Sequence, residues 1–171
     1  MSEHVLPLVD IKRDLSELMQ SRSSLTLSRE SLPVYLPERR WFSTPDDAAA
    51  AQYKLLYAVP FGASSVLSEV EVRTGNQVEQ YQLPLSYSAD HIADSSTPAQ
   101  SALARIRLDG DAGLLIDAFT QGEFSQQVVR SLREGQVLNA NGCRPHNCRR
   151  WRINRMSQSA WWRPSNPTAR R

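Results

Sequence analysis

Val66-Leu67-Ser68-Glu69-Val70-Glu71-Val72-Arg73-Thr74-Gly75-Asn76 and, four residues on, Gln80-Tyr81-Gln82-Leu83-Pro84-Leu85-Ser86-Tyr87 decide the fold. In an extended chain Val66, Val70 and Val72 share one face while Glu69, Glu71 and Arg73 share the other, the alternation of a half-buried strand. Thr74-Gly75-Asn76 supplies a turn, and beyond it Tyr81, Leu83, Leu85 and Tyr87 alternate with Gln80 and Gln82. The pair reads as an antiparallel hairpin. Pro84 cannot donate to a ladder, so the second strand lies at an edge or carries a bulge.

Outward from the hairpin, residues 53–59 are apolar and β-prone, and 102–108 and 114–118 read as further strands around Asp109-Gly110-Asp111-Ala112-Gly113. Residues 86–100 are polar and read as a long loop. Upstream, Ile11, Leu15, Leu18 and Met19 stand at helical spacing in residues 9–20, with Asp10 as the cap. Pro33 and Pro37 then forbid one regular helix but permit short turns that begin at each proline. Downstream, Thr120 and Glu123 have capping-box spacing, Phe124, Val128 and Leu132 form one apolar stripe, and Gly135 supplies a stop. A helix over 121–134 follows. The predicted fold is α+β: a small antiparallel β-sheet with flanking helices and a disordered C-terminal tail. Its parts are a lead-in helix within residues 1–30, a domain over 31–140 and a basic tail over 141–171.

The chain of 171 residues suits one domain. No apolar run approaches a membrane span, and Met1-Ser2-Glu3-His4 does not open a signal peptide. Two cysteines give no disulfide framework, so the expected compartment is the cytoplasm. The net charge of +2 hides an asymmetry: residues 136–171 hold eight arginines and no Asp, Glu or Lys, so residues 1–135 carry −6. That tail also holds Cys143, Cys148, Trp151, Trp161 and Trp162 without helical or strand periodicity.

Candidate chemistry is thin. Asp109-Gly110-Asp111-Ala112-Gly113 lacks the third glycine or the lysine of a phosphate loop and presents acids where a phosphate would sit. Asp109, Asp111 and Asp117 could face a metal, but a calcium loop needs later ligands where Leu114-Leu115-Ile116 stand. His4 and His91 have no nucleophile at a recognisable spacing. Cys143, His146 and Cys148 offer three zinc ligands where a structural site needs four. The arginines and tryptophans of the tail meet the crude description of a nucleic-acid patch, but composition alone produces that pattern. Arg39-Arg40-Trp41 reads as a cation–π packing unit ahead of a ligand clamp.

Leu32-Pro33-Val34-Tyr35-Leu36-Pro37-Glu38-Arg39-Arg40-Trp41-Phe42 resembles the L-P-x-[YFW]-L-P-x-[QR]-R-W-F segment that opens the N-terminal cap domain of bacterial maltokinases, kinases also found fused behind trehalose synthase. The matching positions are Leu32, Pro33, Tyr35, Leu36, Pro37, Arg39, Arg40, Trp41 and Phe42. Leu67-Ser68-Glu69-Val70-Glu71-Val72 is similar to the family's V-E-V hairpin, Tyr81-Gln82-Leu83-Pro84-Leu85 to its Y-x-L-P-L strand, and Gly113-Leu114-Leu115-Ile116-Asp117-Ala118 to its G-L-L-x-D-A. Leu6-Pro7-Leu8-Val9 through Leu18 is similar to the stretch that leads into the cap in fused forms. The family commonly places G-x-K after W-F; here stands Ser43-Thr44-Pro45-Asp46.

The resemblance implies a curved antiparallel sheet with helices, packed on the N-lobe of a protein-kinase-like body. That body transfers the γ-phosphate of ATP to maltose, and maltose 1-phosphate feeds glycogen-like α-glucan synthesis. It implies no catalytic, cofactor or metal residue here, ATP and magnesium belonging to the complete kinase, and a partner that is the kinase N-lobe rather than a membrane or nucleic acid. The expectation is a cap-only, truncated or frameshifted chain, inactive alone; the alternatives are a non-catalytic interaction module, or a nucleic-acid-binding protein that uses the arginine-tryptophan tail. Regrouped from the third base of the Met156 codon, the bases from there into the Arg170 codon can read E-P-V-R-L-V-A-A-E-Q-S-N-S-S, similar to the A-E-Q-S-N-[ST]-S by which these kinases enter their N-lobe. In the same frame Cys143-Arg144-Pro145-His146 permits P-T-A, like the segment just after the cap.

Overall fold

The computed structural model describes residues 5–43, 50–89 and 99–135, together with 137–138 and 151–152. One mixed sheet of seven strands organises them: β1 (Leu8–Ile11), β2 (Gln52–Pro60), β3 (Ser65–Thr74), β4 (Gln77–Gln82), β5 (Leu85–Ala89), β6 (Ala102–Leu108) and β7 (Asp111–Asp117). The order is β1-β6-β7-β5-β3-β2, with β4 also against β3. The β1–β6 pair is parallel and the other pairs antiparallel. A separate antiparallel pair joins β8 (Val137–Leu138), at the end of the expected domain, to β9 (Trp151–Arg152) in the basic tail. The rest of that tail lies outside the described residues.

The hairpin forms as its pattern dictates. β3 pairs with β4 from Thr74↔Gln77 to Glu69↔Gln82, and Val66, Val70 and Val72 are buried. Pro84 interrupts the second strand, and β5 resumes against both β3 and β7. Strand structure thus runs to Ala89, past the expected loop start at Ser86. Asp109 and Gly110 close the β6–β7 hairpin, both at positive φ as a tight two-residue turn demands, and Asp111 to Gly113 already belong to β7. Gly113 has a second constraint: a Cβ there would stand 2.5 Å from the Ser88 carbonyl oxygen and 2.5 Å from the Tyr87 ring. Only glycine lets β5 and β7 approach so closely.

The helix expected over 9–20 does not form as such. Val9 and Ile11 are buried on alternate positions of β1, parallel to β6, and a 3₁₀ turn over Leu15–Met19 follows, capped by Asp14 rather than Asp10. Strand pairing claims the first half of the segment and outweighs a helical spacing that its second half alone obeys.

The polar stretch that follows is helical: α1 (Ser21–Thr26), a widened π turn (Leu27–Ser31), α2 (Leu32–Tyr35) and a 3₁₀ turn (Leu36–Glu38). The type changes as the prolines require. Pro33 and Pro37 occupy first-turn positions, and the widened turn gives the Pro33 ring room beside the preceding carbonyls. Leu18, Leu27, Leu32 and Leu36 from this arm meet Leu55, Val70, Leu83, Ile106 and Leu115 from the sheet in the main core. Each such leucine contributes about 1.5–3 kcal/mol of burial.

On the other face Leu67 and Val128 flank a small cluster of Phe61, Ala118 and Phe124. This seats α3 (Gly122–Glu134), which ends at Gly135 in the left-handed conformation. The expected capping box is absent: Gln121 is the N-cap without a side-chain bond, because the Thr120 hydroxyl donates 2.6 Å to the Asp117 carbonyl instead.

Candidate functional site

The segment from Leu32 to Phe42 splits into an inward and an outward set. Leu32, Tyr35, Leu36 and Phe42 are buried, Pro33 and Arg39 are half-buried, and Pro37, Arg40 and Trp41 are exposed. The turn types set this division, since each proline restarts the register and returns an apolar side chain to the sheet.

Tyr35 is its anchor. The phenol donates a 3.0 Å hydrogen bond to Asp117 Oδ2 across 82 residues of sequence, and the other carboxylate oxygen accepts the Phe119 N–H at 2.9 Å. Asp117 therefore ends β7, caps the 3₁₀ turn over Ala118–Thr120 and ties the helical arm to the approach of α3. Burial pushes the Asp117 carboxyl above its usual range, against the Phe119 N–H, the Tyr35 hydroxyl and the Arg39 charge, which pull it down. Burial, and then the neighbouring Asp117 charge, push the Tyr35 phenol far up. The Arg39 guanidinium lies 4.4 Å from the Tyr35 ring centroid, its Nε donates to the Tyr35 carbonyl and its Nη2 pairs with Glu38 at 3.1 Å. The cation–π unit expected of Arg39-Arg40-Trp41 thus rests on Tyr35.

Trp41 and Phe42 reach β4 instead. The Phe42 ring centroid lies 4.9 Å from that of Tyr81 and the Trp41 centroid 6.0 Å, with Trp41 48% exposed. The Tyr81 phenol donates to Glu79 and is pushed up to about 12, by burial first and by that carboxylate second. Both tyrosines are held protonated at neutral pH, so neither is poised as a base or nucleophile.

The three aspartates of the metal reading do not converge. Asp109 and Asp111 are exposed at the β6–β7 turn, Asp117 is buried at the far end of β7, and no cluster of metal-ligating residues occurs among the described residues. His4, His91, Cys143, His146, Cys148, Trp161 and Trp162 lie outside the described residues. An open cleft of about 580 Å³ on α3, lined by Ser125, Gln126, Val129, Arg130, Arg133 and Glu134, has no convergent catalytic groups.

Two features escaped the sequence reading. The Tyr35–Asp117 link has no local signal. Glu69, placed by alternation on the solvent face, is 2% exposed and accepts a 3.2 Å bond from Gln82 Nε2, while the Tyr57 hydroxyl donates to Gln82 Oε1 at 3.1 Å. Glu69 faces Tyr57 on β2 and Gln82 on β4, a row that two-residue alternation alone would have exposed. No family model and no curated protein matches the chain.

Proposed function

We propose that the chain carries the N-terminal cap module of a maltokinase-like enzyme, serving ATP-dependent conversion of maltose to maltose 1-phosphate in α-glucan metabolism as the accessory domain of a kinase body. The observation that carries this reading is the 3.0 Å bond from Tyr35 to Asp117. It joins the first and the last of the segments that resemble the cap, and the intervening hairpin resemblance falls on β3, β4 and β5 between them. Segments chosen for their likeness to one family meet in one core.

In this reading ATP and magnesium are bound by the kinase body, whose two lobes supply the phosphate-binding lysine, the acceptor-orienting aspartate and the metal ligands. The cap contributes no reacting group. Its partner is the kinase N-lobe and its compartment the cytoplasm; among the described residues no helix is long and apolar enough to cross a membrane. The tail from Cys143 belongs to an out-of-frame reading of the kinase gene, and sequencing the gene tests this: an open shifted frame running into kinase-like sequence supports it, and frequent stops in that frame contradict it.

Calorimetry tests the whole reading. The full chain is expected to bind a maltokinase body deprived of its own cap and to give no heat with Mg-ATP alone. Micromolar affinity for ATP, or salt-dependent binding of DNA or RNA that disappears on deleting residues 143–171, would replace the cap with a different protein class.

A further inference from the structure

β1, β2 and β4 each have an edge without a strand neighbour among the described residues. Proteins usually defend such edges with lysines, prolines, bulges or brevity. β2 carries Lys54, a bulge between Leu55 and Tyr57, and Pro60 at its end. β1 has four residues, follows Pro7 and carries Asp10. β4, the six residues Gln77-Val78-Glu79-Gln80-Tyr81-Gln82, has no lysine, proline or bulge, and its first four residues are exposed.

We propose that β4 is a self-association edge, pairing antiparallel with β4 of a second copy of this chain about a two-fold axis through Gln80. Backbone geometry fixes that register. Thr74 and Gln77 are paired across the two-residue Gly75-Asn76 turn, so they form the hydrogen-bonded pair that closes the hairpin. Alternation then aims the N–H and C=O groups of Val78, Gln80 and Gln82 away from β3. The bond from Leu83 N to Ser68 O, 3.0 Å, continues the same alternation at the far end. With the axis at Gln80, Val78 faces Gln82 of the second copy and Gln80 faces its own equivalent, so every outward group finds a backbone partner.

Charge agrees with the same register. Glu79 is the strand's one charged residue, and it comes opposite Tyr81 of the second copy rather than another carboxylate. Moving the axis one residue, to Glu79, sets carboxylate against carboxylate and leaves Gln82 beyond the opposing strand. The remaining opposed side chains are Gln80 with its equivalent and Val78, 44% exposed, with the stem of Gln82. A second copy thus fits this edge without like charges opposed.

Sedimentation velocity of the full chain over a range of concentrations tests the proposal, with circular dichroism to verify folding. The wild type is expected to dimerise reversibly. Gln80→Lys and Gln80→Glu each place like charges on the axis and are expected to weaken the dimer roughly two- to fivefold, whereas an equimolar mixture of the two restores it as a heterodimer. Gln80→Pro removes only an outward N–H, which an edge strand tolerates, and is expected to be a folded monomer. A wild type that stays monomeric, variants that dimerise like the wild type, or a mixture no better associated than its components would overturn it.

Discussion

Replacing Tyr35 with phenylalanine removes one oxygen and leaves a ring that is 5% exposed. The loss falls on Asp117, whose carboxylate then keeps the Phe119 N–H but not the phenol 3.0 Å away. A hydrogen bond to a charged group contributes about 1.5–3 kcal/mol, and a buried acceptor left short of a donor bears most of that loss. For a chain of this size each kcal/mol moves the melting temperature by about 2–4 °C, so Tyr35→Phe is expected to lower it by roughly 3–12 °C. The penalty also depends on pH. The folded Asp117 carboxyl already titrates above its ordinary 3.8, and losing a donor to its charged form raises it further. A raised carboxyl contributes stability that is complete below the unfolded value and is lost as pH rises through the folded one. The Tyr35→Phe penalty is therefore smallest in mild acid and grows toward neutrality. Urea titrations of both proteins at the two pH values measure it, and Asp117→Asn, which keeps an acceptor and cannot ionise, removes the pH dependence. A Tyr35→Phe cost under about 0.5 kcal/mol, or one equal at both pH values, refutes the account of this link.

Leu36→Ala empties a fully buried position under the sheet and is expected to cost about 2–5 kcal/mol in chemical denaturation. Gly113→Ala drives a methyl into the Ser88 carbonyl and the Tyr87 ring; a loss of roughly 1–3 kcal/mol or more is expected, and a neutral result means β5 and β7 separate easily. Trp41→Ala, at a half-exposed ring 6.0 Å from Tyr81, is expected to cost under about 1.5 kcal/mol in chemical denaturation; a larger loss means that the ring holds the arm to β4 more firmly than its exposure indicates.

What the sequence made legible had a period to itself. The β3–β4 hairpin showed through its two-residue alternation, and α3 through Phe124, Val128, Leu132 and the Gly135 stop. Where two patterns overlapped, tertiary pairing decided. Ile11, Leu15 and Leu18 satisfy a helical spacing, yet Val9 and Ile11 lie in a strand because β6 offers a parallel edge. Thr120 and Glu123 satisfy a capping box, yet Asp117, three residues earlier, takes the threonine hydroxyl. Among the candidate residues, the prolines announced the breaks at Leu32 and Leu36, but nothing local announced a partner for Tyr35 at Asp117 or the burial of Glu69 between Tyr57 and Gln82. Those are properties of register and chain crossing, which a linear pattern does not encode.

The most direct measurement adds the purified full chain to a maltokinase body lacking its own cap and follows maltose-dependent ATP consumption. The cap reading predicts that activity rises with added chain to a plateau, that the chain alone consumes no ATP, and that Tyr35→Phe protein, measured below its melting temperature, reaches the same plateau. A kinase body whose activity and stability do not change at any concentration of this chain contradicts it.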